Sequence, residues 1–236
     1  MQKVLFVLTS HTELGDTGNP TGFFYEELAA PYYAMVDAGH DVTIASIKGG
    51  KVEHDPSSLE DDASDRAASV QRFLKDANAL AKLHNTLPVA RINAFDFDAI
   101  FLPGGHGVMW DFPDNDALVQ AVGDIHERGG IVGAVCHGPA GLVNAKRADG
   151  EPLVKGKRVA GFTDREEAAV DLTQVVPFLL ETRLRNLGAH FEGADNFTAQ
   201  AVRDDRLITG QNPQSSEAVA ELMVTALSDR ATKAAA

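Results

Sequence analysis

The chain has 236 residues, of which 44% are hydrophobic, and a formal net charge of −13 at pH 7. This balance predicts one globular α/β domain and argues against a nucleic-acid partner, which needs a basic face. A lone cysteine excludes an intramolecular disulfide. No apolar run approaches the about 18 residues of a membrane span, and no secretory signal is evident. We therefore expect a cytoplasmic protein that does not enter membranes.

Strand and helix patterns alternate along the sequence. Residues 3–9 are an apolar run typical of a buried strand, and a helix is predicted from Thr21 to about Asp37, ended by Gly39. The remaining elements are predicted as strands at 40–45, 97–102, 131–135 and 157–162, helices at 114–128 and 177–187, a hairpin at 202–208, and a last helix from Ser215. This order predicts a mostly parallel sheet with helices on both faces and a site beyond the carboxyl ends of the strands.

Residues 48–93 interrupt this alternation. The segment is acidic at Glu60, Asp61 and Asp62 and continues as an apolar helical pattern from Val70 to Leu83. We expect an insertion that packs over an edge of the sheet or the mouth of the site, within a single domain that spans residues 1–236.

The lone Cys136 stands where the predicted strand 131–135 turns into a predicted helix at Pro139. Ala134 and Gly138 supply the small residues that a nucleophile elbow needs two positions before and after the nucleophile. A helix dipole and unpaired N–H groups at such a turn favour the thiolate, so we expect a nucleophile with a lowered pKa. A buried structural cysteine is the alternative.

Glu27 is the second informative position. In a helix it shares a face with Phe23, Phe24 and Pro31, and a carboxyl group on an apolar face must be partnered or protonated. Burial would raise its pKa and suit it to exchange protons with a thiol and a substrate. The alternative is a surface glutamate beside Glu26.

Backbone N–H groups of His137 and Gly105 are predicted to stabilise an oxyanion, because His137 is a residue of the elbow and Gly105 stands at a strand end with no side chain to block approach. The His137 imidazole is either a base or a half-exposed side chain at a helix start. His106 and Trp110 follow the glycine turn and are predicted to line a pocket.

Glu166 and Glu167 follow Thr163 and Asp164 at the spacing of a capping box, so helix initiation alone would explain both glutamates. No spacing of histidine, cysteine or carboxylate residues indicates a metal site, and we expect neither a metal nor a cofactor.

Five motifs resemble those of the ThiJ/PfpI superfamily, in its glyoxalase III branch of heat-shock-protein-31-like enzymes. They keep the family order and lie at residues 21–27 (TGFFYEE, with Pro31), 103–107 (PGGHG), 134–139 (AVCHGP), 161–167 (GFTDREE) and 207–215 (LITGQNPQS). The resemblance implies a flavodoxin-like three-layer sandwich and usually a homodimer. It also implies a triad of Cys136, His137 and Glu167, with Glu27 as the carboxyl partner of the thiol.

The implied activity is that of a glutathione-independent glyoxalase, a cofactor-independent lyase of the D-lactate dehydratase type that converts methylglyoxal to lactate. Cys136 would add to the aldehyde, and Glu27 or His137 would move protons through an enediol to a thioester that water hydrolyses. The branch is also linked to repair of glycated groups and to holding unfolded proteins.

Two other functions would use the same cysteine. An amidase, peptidase or glutamine amidotransferase would take a distal base from His190 and Glu192, whose strand is otherwise predicted to be structural. A stress chaperone or redox sensor would need no turnover, with Cys136 oxidised beside Glu27.

Overall fold

A central sheet organises the molecule, for which the computed structural model describes residues 1–59 and 62–235. The strands in chain order are β1 (Lys3–Leu8), β2 (Asp41–Ser46), β3 (Leu87–Pro88), β4 (Ala99–Leu102), β5 (Ile131–Val135), β6 (Arg158–Val159), β7 (His190–Phe191), β8 (Ala201–Asp204) and β9 (Leu207–Gly210). Seven of them form one sheet in the order β3-β2-β1-β4-β5-β9-β8. Adjacent strands of this sheet are parallel except β8, which is antiparallel to β9 in the predicted hairpin.

Helices flank this sheet. They are α1 (Tyr25–Asp37), α2 (Ala68–Lys75), α3 (Ala77–His84), α4 (Val108–Asp111), α5 (Asp116–Glu127), α6 (Asp164–Ala169), α7 (Leu180–Asn186) and α8 (Ser216–Ala235). Short 3-10 turns lie at Pro56–Ser58, Val89–Arg91, Ala94–Asp96, Gly138–Leu142 and Pro213–Ser215. None of the helices in the described part of the chain is long and apolar enough to cross a membrane.

Side chains of β1 alternate between two cores, as the period of a strand requires. Phe6 faces a core built with α1, α2 and α8, whereas Leu5 and Val7 face a second core built with α4, α5 and α7. The predicted sandwich, a mostly parallel sheet between two helical layers, is confirmed.

Some predicted boundaries are wrong because backbone groups are engaged by distant partners. The chain before α1 is extended rather than helical, since Phe23 N donates to Glu53 O and Phe24 N donates to Gly104 O. The predicted strand 157–162 is reduced to β6, which pairs with β7 in a separate two-stranded sheet.

Two helix predictions also need correction. The helix predicted at Pro139 is only the 3-10 turn Gly138–Leu142, so no α-helix begins at the elbow. The helix predicted at 177–187 begins at α7, and Asn115 rather than Asp114 caps α5, accepting from Leu118 N at 3.0 Å.

Within the insertion at 48–93, helix α2 packs on α1. Phe73 of α2 lies against the rings of Tyr25, Tyr32 and Tyr33, and Arg72 lies over the Tyr33 ring at 3.7 Å. β3 adds the edge strand beside β2, while the acidic positions Glu60 and Asp61 lie outside the described residues. We propose that this insertion belongs to a single domain and holds α1 against the sheet.

Phe73→Ala tests this packing. Phe73 is fully buried, and truncation removes the ring on which three tyrosines pack, so we expect the free energy of unfolding to fall by about 3 kcal/mol or more. Urea denaturation measures it. Phe95→Ala is the matched control, because Phe95 is 62% exposed and should cost less than about 1 kcal/mol. A loss of unfolding free energy for Phe73→Ala as small as that of the control would show that the Phe73 ring contributes no packing to the core.

Candidate active site

Cys136 forms a sharp turn at the end of β5. Its φ of 59° is the left-handed conformation, which a non-glycine residue adopts only when its surroundings enforce it. Cys136 N donates to Gly210 O at 2.9 Å, and Phe162 N donates to Cys136 O at 2.8 Å. A Cβ on Gly138 would lie 2.0 Å from Leu102 O, so the small residue two positions after Cys136 is a steric requirement.

Glu27 lies fully buried in the first turn of α1, with its carboxyl beside the Cys136 thiol. Gly104 N donates to Oε2 at 2.7 Å, and among the described residues Oε1 has no nitrogen or oxygen partner. Burial raises the pKa of Glu27 to about 8, against smaller lowering effects of the Cys136 and Gly104 hydrogen bonds. At neutral pH the carboxyl is therefore mostly protonated. The prediction that Glu27 lies on the buried face of the helix is confirmed, but Phe23 and Phe24 precede α1 and do not share that face.

The prediction of a thiolate at rest is wrong. Cys136 is 3% exposed, and burial, followed by the charge and hydrogen bond of Glu27, raises the pKa of the thiol well above its ordinary value. No α-helix dipole opposes this, because the elbow leads only into a 3-10 turn. The thiol must therefore lose its proton to a neighbouring group during reaction, rather than stand ionised beforehand.

His137 connects the thiol to a carboxylate. Its Nδ1 lies 3.3 Å from Cys136 Sγ, and its Nε2 lies 2.8 Å from Glu167 Oε2. The second carboxylate oxygen of Glu167 lies 2.9 Å from His106 Nε2. The Phe162 ring lies on His137 at 4.3 Å between centroids, and this contact limits the orientations of the imidazole.

The charges follow from these contacts. Burial alone would raise the pKa of Glu167, but His137 and His106 outweigh it and hold that pKa well below its usual range. Burial, together with His106, lowers the pKa of His137. A carboxylate only accepts hydrogen bonds, so neutral His137 donates its Nε2–H to Glu167 and leaves Nδ1 as an acceptor for the thiol proton.

Two backbone donors face the sulfur. The N–H groups of Gly105 and His137 are hydrogen-bonded to the Cys136 thiol and counter part of the rise in its pKa. Gly105 has a φ of 96°, and a Cβ there would lie 2.3 Å from Gly22 O. Any side chain at 105 would therefore displace one donor.

Glu166 and Glu167 have separate roles although they are neighbours. Glu166 forms the capping box with Thr163 and also accepts from Phe197 N and Asn212 Nδ2, both at 2.8 Å. The capping prediction is confirmed for Glu166. These bonds fix the rotation of α6, and Glu167 consequently points towards the two histidines.

Other predicted residues lie elsewhere. The Trp110 ring stacks on His11 at 5.1 Å between centroids, and its role as a pocket residue stays a prediction. His190 is exposed on β7, and Glu192 forms an ion pair with Arg158 at 2.5 Å. Glu192 therefore has a structural partner at the surface.

Comparison with known proteins identifies the group to which this arrangement belongs. The family model described as DJ-1/PfpI matches residues 3–226. The chain belongs to the DJ-1/PfpI family. This membership confirms the resemblance to the ThiJ/PfpI superfamily.

The proteins to which this chain is similar include named glyoxalases. Glyoxalase 3 of Candida albicans is 33% identical over 96% of this chain and 98% of its own length. The glutathione-independent glyoxalase HSP31 of Saccharomyces cerevisiae is 30% identical over 96% and 98%. The crystal structure of glyoxalase III from Candida albicans superposes with a TM-score of 0.87 at 29% identity, covering 95% of this chain and 97% of that one.

A further solved structure is similar over nearly the full chain. Rapid Encystment Protein 24 kDa of Francisella tularensis has a TM-score of 0.91 and 38% identity, covering 96% of this chain and 99% of that one. The full span of these alignments agrees with the five motifs, which run from residue 21 to residue 215.

Sequence reasoning missed how His106 and Phe162 enter the site. His106 was predicted only as a pocket residue, yet it shares Glu167 with His137. Phe162 carried no signal beyond its position before the capping box. The potential ligand atoms of His106, His137 and Glu167 lie within 4.8 Å of one another, a set that no sequence spacing indicated.

Glu27→Gln tests the buried acid through stability. The folded protein keeps this proton up to pH about 8, whereas an unfolded chain releases it near the ordinary value of 4.5, so wild-type stability is lost as pH rises through that window. Gln cannot ionise. We expect the variant to match the wild type near pH 5 and to exceed it by roughly 4 kcal/mol near pH 9.

Urea denaturation across pH 5–9 measures the difference. Glu26→Gln is the control, because Glu26 is only half-buried and should change the slope less. Parallel pH profiles for the wild type and Glu27→Gln would show that Glu27 is ionised in the folded protein at neutral pH.

Proposed function

We propose that this protein is a glutathione-independent glyoxalase that converts methylglyoxal to lactate through a Cys136 hemithioacetal. The observation that carries the proposal is a single buried thiol in contact with a carboxyl group of pKa about 8 and with a neutral imidazole. Relatives named Glyoxalase 3 and glutathione-independent glyoxalase, 33% and 30% identical over 96% of this chain, support it.

The first step joins the thiol to the aldehyde carbon. Cys136 Sγ bonds to that carbon, the thiol proton passes to His137 Nδ1, and the aldehyde oxygen becomes an oxyanion. The N–H groups of Gly105 and His137 stabilise this charge, and protonation gives the hemithioacetal. The ionised Glu167 stabilises the imidazolium that forms.

The second step moves hydrogen between neighbouring carbons. A base removes the proton from the former aldehyde carbon while the ketone oxygen is protonated, which gives an enediol. Reprotonation at the second carbon gives the lactoyl thioester. Glu27 suits this exchange, because a carboxyl group with a pKa of about 8 both donates and accepts protons near neutral pH.

Hydrolysis completes the cycle. Water attacks the thioester carbonyl, the C–S bond breaks, and the thiol regains its proton from His137. The net reaction adds one water to methylglyoxal and forms lactate, with no change in net oxidation state and no cofactor. This is lyase chemistry of the D-lactate dehydratase type. Because Cys136 is only 3% exposed, the site favours a small aldehyde.

Two features weigh against the other functions. An amidotransferase would need His190 and Glu192 as its distal base, but Glu192 is occupied by Arg158. A redox sensor works best with a resting thiolate, and the pKa of Cys136 is raised. The homodimer implied by the family resemblance stays a prediction.

Cys136→Ala tests the nucleophile. With methylglyoxal and no glutathione, we expect lactate formation to fall at least about 1,000-fold, since no other thiol exists in the chain. A lactate assay of purified protein measures it, with thermal unfolding to confirm the fold. His190→Asn is the control and should keep wild-type turnover. Equal turnover by Cys136→Ala and the wild type would refute covalent catalysis, and loss of activity in His190→Asn would favour the amidotransferase-type arrangement.

Glu27→Gln separates proton transfer from thiol reactivity. We expect kcat to fall about 100-fold or more, because an amide cannot exchange protons with the substrate carbons. Alkylation of Cys136 by a small reagent should persist. Glu26→Gln, on the adjacent position of α1, should keep turnover. Unchanged kcat in Glu27→Gln would remove Glu27 from the mechanism.

A further inference from the structure

Two imidazoles converge on one buried carboxylate. His106 Nε2 lies 2.9 Å from Glu167 Oε1, and His137 Nε2 lies 2.8 Å from Glu167 Oε2. The proposed reaction uses only the His137–Glu167 contact, so the second imidazole is surplus to it. The three side chains come from separate parts of the fold, namely the loop after β4, the elbow after β5, and α6.

We propose that His106, His137 and Glu167 form a binding site for a divalent transition-metal ion, with Zn²⁺ as the preferred ion. Their ligand atoms lie within 4.8 Å of one another. Two imidazole nitrogens and a carboxylate oxygen are a common protein ligand set for zinc, with a fourth position left for water.

The geometry requires only small movements. Zinc bonds of about 2.0–2.1 Å in a tetrahedral arrangement place ligand atoms about 3.3 Å apart. The nitrogen–oxygen separations here are 2.8 Å and 2.9 Å, each to a different oxygen of Glu167. Because all three ligand atoms already lie within 4.8 Å of one another, binding requires these contacts to open by about half an ångström and the carboxylate to turn so that one oxygen faces both nitrogens. The His106 side chain is 17% exposed, whereas those of His137 and Glu167 are nearly inaccessible, so an ion would enter past His106.

Metal binding changes the position of the His137 proton. In the hydrogen-bonded arrangement, each imidazole carries a proton on Nε2 and donates it to the carboxylate. A metal on Nε2 requires each ring to carry that proton on Nδ1 instead. His137 Nδ1 would then donate to Cys136 Sγ, 3.3 Å away, rather than accept from it.

The consequence is reversible inhibition. With a proton fixed on Nδ1, His137 cannot accept the thiol proton, so the bound ion would block the first step while Cys136 stays unmodified. This consequence rests on the proposed function. The binding itself does not, because it depends only on the three ligands.

Calorimetric titration of chelator-treated protein with zinc chloride tests the site, in wild type, His106→Asn, His106→Gln, Glu167→Gln, Cys136→Ala and His190→Asn. We expect one zinc ion per chain in the wild type, Cys136→Ala and His190→Asn. The His106 and Glu167 variants should bind at least about 100-fold more weakly. Loss of binding in Cys136→Ala would overturn the proposal, because the thiol would then be the ligand. Unchanged affinity in both His106 variants would overturn it equally.

Cobalt substitution gives a second readout that does not depend on turnover. Co²⁺ in the wild-type site should show visible bands of a nitrogen–oxygen environment, unchanged in Cys136→Ala, and a sulfur-to-cobalt charge-transfer band would contradict the assigned ligands. Zinc inhibition of lactate formation, relieved by a chelator, is the functional arm. If zinc binds as expected but the protein forms no lactate, the metal site stands and only the proposed function fails.

Discussion

The burial of the Glu27 carboxyl beside the Cys136 thiol is the constraint on which the site depends. A carboxyl group and a thiol share a space that is nearly closed to solvent, and the pKa of each is raised. Since only one negative charge is tolerable there, proton movement and bond formation at sulfur are coupled. The Gly104 N–H group stabilises a negative charge on Glu27, and the His137–Glu167 pair can accept the thiol proton and so favours a charge on sulfur.

The backbone around this pair is built for close approach. Gly104 lets its N–H reach the Glu27 carboxyl, since a Cβ there would lie 2.7 Å from both Glu27 Oε2 and His137 N. Gly105 and Gly138 have no room for a side chain for similar reasons, against Gly22 O and Leu102 O. The site is therefore formed by main-chain atoms as much as by side chains, which is why its glycines lie at the ends of β4 and β5.

Local signals predicted most of the fold and the identity of the reacting groups. Alternation in β1 and the small residues around Cys136 are set by neighbouring positions, so sequence alone reveals them. The start of α1 was missed because Phe24 N bonds to Gly104 O, far along the chain. The thiol pKa was given the wrong sign because the extent of burial is a tertiary property. The contact between His106 and Glu167 spans 61 positions and leaves no periodic trace.

The hydrogen bonds of Glu166 have a consequence for how such a site can diverge. Because this carboxylate ties α6 to Thr163, Phe197 and Asn212, the orientation of the next residue is inherited from a scaffold that lies outside the reaction. Substitutions in the anchor would misalign the imidazole's partner even where every reacting group is retained. The alignment of the site is therefore set partly by a residue that takes no part in the proposed reaction.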